Sequence, residues 1–266
     1  ISSISPPGST FKMVTAIAGL ESGAIDVGTK INDTGVYRFY RDYQPRCWKS
    51  GGHGWLNVTK AIEVSCNYFF YETGRRTGID RLVQVASAFG LGQKTGIELP
   101  GEEAGVLASR DTMNPWVDGY TVQAAIGQLN NSFTPLQMAK YVAMVANGGK
   151  NLNVTIIKSV TNSDGTEVSK DEIESYVNEK LGINGNSGSD INISDENIQA
   201  VKEGMRGVTS DGSGTAYSYF KDFDVEVGGK TGSATTDNNG NANAWFVGFA
   251  PYDDPEIAVA VYIKDG

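Results

Sequence analysis

A chain of 266 residues with 39% hydrophobic and 20% charged side chains has the length and balance of a globular domain with its own core, not of a disordered or fibrous segment. A formal net charge of −9 argues against a nucleic-acid partner and against electrostatic docking on anionic lipid. One histidine, His53, and two cysteines, Cys47 and Cys66, offer no disulfide framework, and the histidine sits in a glycine-rich loop with no nucleophile elbow to complete a serine–histidine–aspartate triad.

In chain order, Pro6-Pro7-Gly8 halts the incoming segment, and Phe11, Val14, Ile17, Ala18 and Leu20 then recur at helical spacing. Residues 10–22 therefore read as a buried helix, closed by Ser22-Gly23, with Ser9 on the loop that feeds it. Residues 26–56 carry turn signals and aromatics (Tyr37, Phe39, Tyr40, Tyr43, Trp48, Trp55) without a period, an irregular excursion that needs an internal staple. Asn57 or Thr59 caps a second helix running to Gly74, and Asp80 caps a third over 81–89. After a loop-rich stretch over 91–120, Thr134-Pro135 opens a helix that Asn147-Gly148-Gly149 ends. A strand is expected over 153–160, a turn at Ser163-Asp164-Gly165, a helix over 170–181, a mobile polar loop over Asn184–Asp190, and a helix from the Ser194 cap to Met205. Three strand-like runs follow, over 224–233, 244–250 and 256–263, with links short enough for antiparallel neighbours. Helices first and strands last predict an α+β fold, an antiparallel sheet flanked by helices.

The chemistry starts at Ser9 and Lys12. Three positions apart on a helix, they share a face, and a lysine in an apolar wall can lose its charge and take the proton of a serine nucleophile. Ser218 and Lys221 have the same spacing, so this pair decides nothing by itself. Ser65-Cys66-Asn67 and Lys230-Thr231-Gly232 add a second hydroxyl, an amide and a lysine. Lys94-Thr95-Gly96 and Lys49-Ser50-Gly51 also fit the third pattern, but only Lys230 lies in a strand-like run, behind Gly228-Gly229, where another backbone can approach. Acyl transfer at an amide needs a nucleophile, a base, a proton donor for the leaving nitrogen and donors for the oxyanion. Ser9 and Lys12 supply the first two. Ser65 can pass a proton among Lys12, Lys230 and the departing amine, Asn67 can orient a substrate amide, and Lys230, Thr231 and Ser233 can hold a carboxylate. The backbone N–H groups of Ser9 and Ser233 are candidates for the oxyanion hole.

These three elements, Ser-x-x-Lys, Ser-x-Asn and Lys-Thr-Gly, are the set shared by class A β-lactamases and penicillin-binding proteins. The chain resembles the transpeptidase domain of a class B penicillin-binding protein, closest to the elongation-type PBP2 branch. The likeness extends through Gly90-Leu-Gly-Gln-Lys-Thr-Gly96, Asn114-Pro-Trp, Ala125-Ile-Gly-Gln128, Thr134-Pro-Leu-Gln-Met138, Gly214-Thr-Ala216 and Ala244-Trp-Phe-Val-Gly-Phe-Ala-Pro251. The resemblance implies the penicillin-binding/serine β-lactamase-like fold with an all-helical subdomain. It also implies D,D-transpeptidation of peptidoglycan stem peptides through a serine acyl-enzyme, trapping by β-lactams, and no cofactor for catalysis. A separate glycosyltransferase and other cell-wall proteins would be partners. The chain would be one domain, 1–266, of a longer protein anchored at the extracytoplasmic face of the bacterial membrane by an N-terminal segment and pedestal outside this sequence. Leu129 departs from the family, standing where a glycine is common. Rival readings are a serine β-lactamase or carboxypeptidase, which would need a hydrolytic base such as Glu98, Glu102 or Glu103, and a non-catalytic β-lactam sensor.

A second constellation is Asp33, Cys47, His53 and Cys66. One aspartate, one histidine and two cysteines suit tetrahedral zinc, and four protein ligands make a closed structural site. It would staple the aromatic excursion to the second helix beside Ser65 and Asn67. The spacing resembles a zinc site of the PBP2 branch, with Cys47 where that branch has a second aspartate. Asp42 is an alternative fourth ligand. Free buried cysteines or a Cys47–Cys66 disulfide are the other readings, since the implied compartment is oxidising.

Overall fold

The prolines and glycine at 6–8 do not merely precede the first helix; they are moored. Gly8 N donates to Gly127 O at 3.0 Å, Trp245 Nε1 donates to Pro6 O at 2.9 Å, and Ser5 bridges to Phe133. In the computed structural model, which describes residues 1–182, 188–235 and 242–265, this segment enters a 3₁₀ turn, Gly8–Phe11, that runs directly into α1 (Lys12–Glu21). Every residue from Thr10 to Leu20 is buried, so α1 is the central pillar of the core. Its buried positions are apolar apart from Lys12 and Thr15, and each fully buried large aliphatic there contributes about 1.5–3 kcal/mol.

Packed around α1 are α3 (Asn67–Thr77), α4 (Ile79–Ala88) and α8 (Asp195–Ser210). With α2 (Val58–Glu63) and α5 (Asp118–Ala124) they form the helical side of the molecule. The other side is an antiparallel sheet in the order β3 (Gly228–Thr235), β4 (Ala242–Ala250), β5 (Ile257–Ile263), with Lys230 opposite Val247 and Trp245 opposite Tyr262. α6 (Pro135–Ala146) and α8 pack against it. Thr134 caps α6 in a full capping box with Gln137, as the Thr-Pro signal implies. The peripheral α7 (Lys170–Leu181) is capped by Ser169 and buries nothing completely, and α9 (Tyr217–Phe220) is a single turn. This is the α+β architecture expected, an antiparallel sheet flanked by helices. No helix among the described residues is long and apolar enough to cross a membrane.

Several local expectations need correction. The helix expected from Asn57 to Gly74 is two helices, α2 and α3, broken at Ser65, whose φ is +54°. Asn57 does cap α2, but α4 starts at Ile79 behind Gly78, so Asp80 lies inside its first turn. α8 runs five residues past Met205, because Gly204 and Gly207, which weaken the helical pattern, are there to admit Ile62 and Glu63 at close range. No strand forms over 153–160 among the described residues. Only a Thr161–Glu167 bridge closes the expected turn there. The aromatic excursion contains an unforeseen two-stranded sheet, β1 (Ile31–Asp33) with β2 (Gly54–Leu56). Of the loop expected to be mobile, residues 184–187 lie outside the described residues. Its end is held, with Ser189 N donating to Ala88 O at 2.9 Å and Asn151 N to Asp190 at 2.7 Å.

Two positive-φ sites explain quoted sequence blocks. Gly127 has φ +72°, and a Cβ on it would come within 2.2 Å of Gly8 O, so only glycine lets the 124–128 turn support the serine loop. Leu129, in place of a glycine, takes φ +68° all the same, a strain of order 1–3 kcal/mol that its side chain offsets by packing against the core.

Candidate active site

Where α1, the α2–α3 break and β3 converge lies a cleft of about 290 Å³ lined by Ser9, Trp48, Ser65, Asn67, Thr215, Thr231, Gly232 and Ser233. Ser9 sits on the 3₁₀ turn, half-buried, one turn ahead of the pillar helix. Its loop meets β3 with no space to spare. A Cβ on Gly8 would stand 2.4 Å from Ser233 O, and one on Gly232 2.8 Å from Pro7 O. The two backbones thus run against each other at one rim, and Ser9 and Ser233 line the same cleft there.

Lys12 and Lys230 are both fully buried beneath this surface. Lys12 Nζ donates to Ser65 O at 2.9 Å, Ser65 Oγ at 3.2 Å and Asn67 Oδ1 at 2.6 Å. Three acceptors suit three ammonium protons, but burial pulls this lysine down to about 8, with the nearby Cys66 and Cys47 partly resisting. Burial and the charge of Lys12 hold Lys230 well below the usual lysine range, and its Nζ donates to Thr231 O at 3.0 Å. Lys12 thus has three acceptors within reach of its amine, whereas Lys230 Nζ is held by the Thr231 carbonyl.

The break at Ser65 is what makes this geometry. Ending α2 with Ser65 N on Ile62 O and starting α3 at Asn67 turns the Ser65 carbonyl and hydroxyl and the Asn67 amide toward one lysine. A continuous helix would splay positions 65 and 67 to different faces.

The rival motifs fall elsewhere. Ser218 and Lys221 are exposed, and Lys221 pairs with Asp222. Thr95 and Gly96 are consumed by Glu102, which accepts from both backbone amides and from Thr95 Oγ1 at 2.6 Å. Lys49 lies exposed in the aromatic excursion. Glu98 is engaged by Thr155 and the Ile156 amide, and Glu103 is exposed. Among the described residues no carboxylate lines the cleft.

The profile of the penicillin binding protein transpeptidase domain matches residues 1–266 of the chain. The chain belongs to this penicillin-binding protein family. It is 32% identical to the peptidoglycan D,D-transpeptidase MrdA of Acinetobacter baumannii over 286 residues, which cover 100% of this chain and 40% of that protein. It thus spans about two-fifths of the length of that curated relative. Among solved structures, PBP2 of Pseudomonas aeruginosa in complex with WCK 5153 superposes with a TM-score of 0.85 at 32% identity, covering 99% of this chain and 57% of the other. PBP2 of Helicobacter pylori, solved with MreC, gives 0.80 at 28% identity, covering 99% and 46%.

In this penicillin-binding protein domain residues of all three motifs line one cleft, with Lys12 buried behind Ser65 and Asn67 and Lys230 buried beside Thr231. Sequence reasoning passed over two members of the wall. Trp48 is exposed but donates Nε1 to Val64 O and Ser65 O at 3.1 and 3.0 Å, bracing the helix break. Thr215 touches Thr231, and its signal was the Gly214-Thr-Ala216 block, which carried likeness to the family but no assigned role.

Behind Ser65, Asp33, Cys47, His53 and Cys66 turn one ligand atom each to a common point, all within 4.8 Å of one another. Asp33 Oδ2 lies 2.8 Å from His53 Nδ1 and 3.3 Å from Cys66 Sγ, and Cys47 Sγ lies 3.4 Å from His53 Nδ1. The two sulfurs are 3.9 Å apart and not bonded to each other. Tetrahedral zinc with Zn–S of about 2.3 Å and Zn–N or Zn–O of about 2.0–2.1 Å has donor separations of roughly 3.3–3.8 Å. The donor types suit that metal and the Asp33–Cys66 and Cys47–His53 separations match it, while Asp33 and His53, at hydrogen-bond distance of 2.8 Å, would have to move apart to share an ion. The cluster is buried, and Cys66 also caps α3 by accepting from Phe69 N at 3.4 Å. Burial pushes the Cys66 thiol up, while its hydrogen bond brings Cys47 down to about 6. Asp42, the alternative ligand, is exposed and lines a separate groove with Tyr40 and Tyr43.

Proposed function

We propose that residues 1–266 are the transpeptidase domain of a longer cell-wall enzyme, cross-linking peptidoglycan stem peptides through a Ser9 acyl-enzyme. The observation that carries this reading is the convergence of Ser9, Ser65, Asn67, Thr231 and Ser233 in one cleft over two buried amines. Lys12, as the neutral amine, accepts the Ser9 proton as its oxygen attacks the D-Ala-D-Ala carbonyl. The amides of Ser9 and Ser233 hold the oxyanion. Ser65, hydrogen-bonded to Lys12, delivers the proton to the leaving D-alanine nitrogen. Lys230, Thr231 and Ser233 hold the terminal carboxylate, and Asn67 the peptide. An acceptor amine then reverses the steps and takes the acyl group. β-Lactams follow the same attack and stop at the acyl-enzyme.

The lack of a carboxylate in the described cleft wall favours transpeptidation over a β-lactamase, which must activate water for deacylation. Incubation with a stem pentapeptide and an acceptor amine should give acyl transfer with D-alanine release. Rapid hydrolysis of penicillin, with no transfer, would instead support the lactamase. Acylation by penicillin should accelerate as pH rises through about 8, where the neutral Lys12 fraction grows from about one in ten at pH 7 toward completeness. A flat profile between pH 6.5 and 9 would contradict Lys12 as the base.

We assign Asp33, Cys47, His53 and Cys66 as the ligands of a structural zinc, which would tie β1, β2 and α3 together behind Ser65. When bound, the metal neutralises the two thiolates and takes no part in the chemistry. Protein purified without added metal should carry about one zinc per chain, and His53→Ala should lower the melting temperature by on the order of 5 °C or more. A stoichiometry near zero, with an intact Cys47–Cys66 disulfide, would remove the site. The enzyme's place is the extracytoplasmic membrane face, anchored by a segment outside this sequence. A separate glycosyltransferase and other cell-wall proteins are its partners, in line with the Helicobacter pylori PBP2 solved with MreC.

A further inference from the structure

We propose that Thr215 is a positioning residue for Thr231, giving its own hydroxyl proton to Thr231 so that Thr231 must point its proton at the substrate carboxylate. The inference rests on the acyl-enzyme reading above and adds a residue to it. Thr215 Oγ1 lies 2.6 Å from Thr231 Oγ1, and both line the cleft. Two hydroxyls at that distance share one proton between them, and either can be the donor. A carboxylate removes the choice. It only accepts, so Thr231 must donate to it, and the Thr231 oxygen is then satisfied by receiving from Thr215. The chain runs one way, from Thr215 through Thr231 to the carboxylate.

Thr215 is held firmly enough for this work. Gly214 has no room for a Cβ, which would stand 2.2 Å from Gly207 O and 2.5 Å from Val208 O. Ala216 N donates to Val208 O at 2.9 Å, so the residues on both sides of Thr215 are clamped to α8. One residue further back, Ser213 N donates to Asp211 Oδ1 at 2.9 Å, its hydroxyl donates to the buried Glu63, and Lys60 Nζ reaches the same hydroxyl at 3.0 Å. Glu63 is the last residue of α2, two before Ser65. The helix that sets the Ser65 break therefore also anchors the loop that aims Thr231, and the two walls of the cleft share one fixed point.

The test compares second-order acylation by a penicillin free acid and by its neutral methyl ester. Thr215→Val keeps the shape and removes the hydroxyl. It should slow the free acid about tenfold relative to wild type and leave the ester unchanged, since a hydrogen bond to a charged group is at stake only in the first. Thr215→Ser, which restores the hydroxyl, should recover the free-acid rate. Thr231→Val should show the same selectivity, and adding Thr215→Val to it should cost nothing more. Should valine disturb the melting temperature, Thr215→Ala gives the same comparison. Equal slowing of acid and ester, or an unchanged acid rate, would overturn the inference while leaving the acyl-enzyme reading in place. A wild-type protein labelled by neither probe would overturn both.

Discussion

Ser9→Ala should reduce covalent labelling by a fluorescent penicillin to background while the protein keeps its melting temperature. The substitution removes one oxygen from a half-buried side chain, and the anchors of its turn, Gly8 N on Gly127 O and Trp245 Nε1 on Pro6 O, do not involve it. Among the described residues no hydrogen bond reaches that oxygen, whereas the proposed chemistry depends on nothing else so completely. Ser65 and Ser233 are hydroxyls of the same cleft, so the variant also tests whether proximity suffices. Ser65 receives a hydrogen bond from Lys12 in the resting state, and Ser233 lies on β3, opposite Ala244. Neither is expected to replace Ser9. Labelling of Ser9→Ala at the wild-type rate would move the nucleophile elsewhere.

Lys12→Ala should slow acylation by several orders of magnitude, because nucleophile and base act as a unit and removing either forfeits nearly the whole advantage. Part of the loss is geometric. Lys12 holds Ser65 and Asn67 through three hydrogen bonds at the helix break, and alanine leaves those acceptors without their buried donor. Lys12→Met keeps most of the volume and removes the amine. It should be as slow as the alanine variant in acylation and closer to wild type in melting temperature. Acylation of either variant at the normal rate would show that another group, with Lys230 the first candidate, takes the serine proton.

How much of this was legible in the sequence depends on distance along the chain. Ser9 with Lys12, Ser65 with Asn67, and Lys230 with Thr231 are each set by local geometry, so their spacing carried the information. The convergence of the three pairs is a property of the core and was legible only through likeness to a family. The helix break at Ser65 had no local signal. Serine seldom takes a positive φ, and what holds it there are the Lys12 bonds and the Trp48 indole, which come from two segments far from it in sequence. The β1–β2 pairing escaped for the same reason. Its strands are three residues each, and Asp33 binds the amides of Gly35 and His53 across the excursion. The strand expected over 153–160 shows the opposite failure. Ile156 and Val160 have β-propensity, but they are exposed and pair with no strand among the described residues. The grouping of Asp33, Cys47, His53 and Cys66 was suggested by their chemistry and by likeness to a family, and the fold brings their ligand atoms within 4.8 Å of one another.

The proposed chemistry turns on one reactive oxygen in one cleft, and intact-mass spectrometry after penicillin treatment, followed by peptide mapping, addresses it most directly. A single adduct equal to the whole penicillin, located on Ser9, is the predicted result. An adduct on Ser218 or any other side chain, or no adduct from a folded protein, would contradict it.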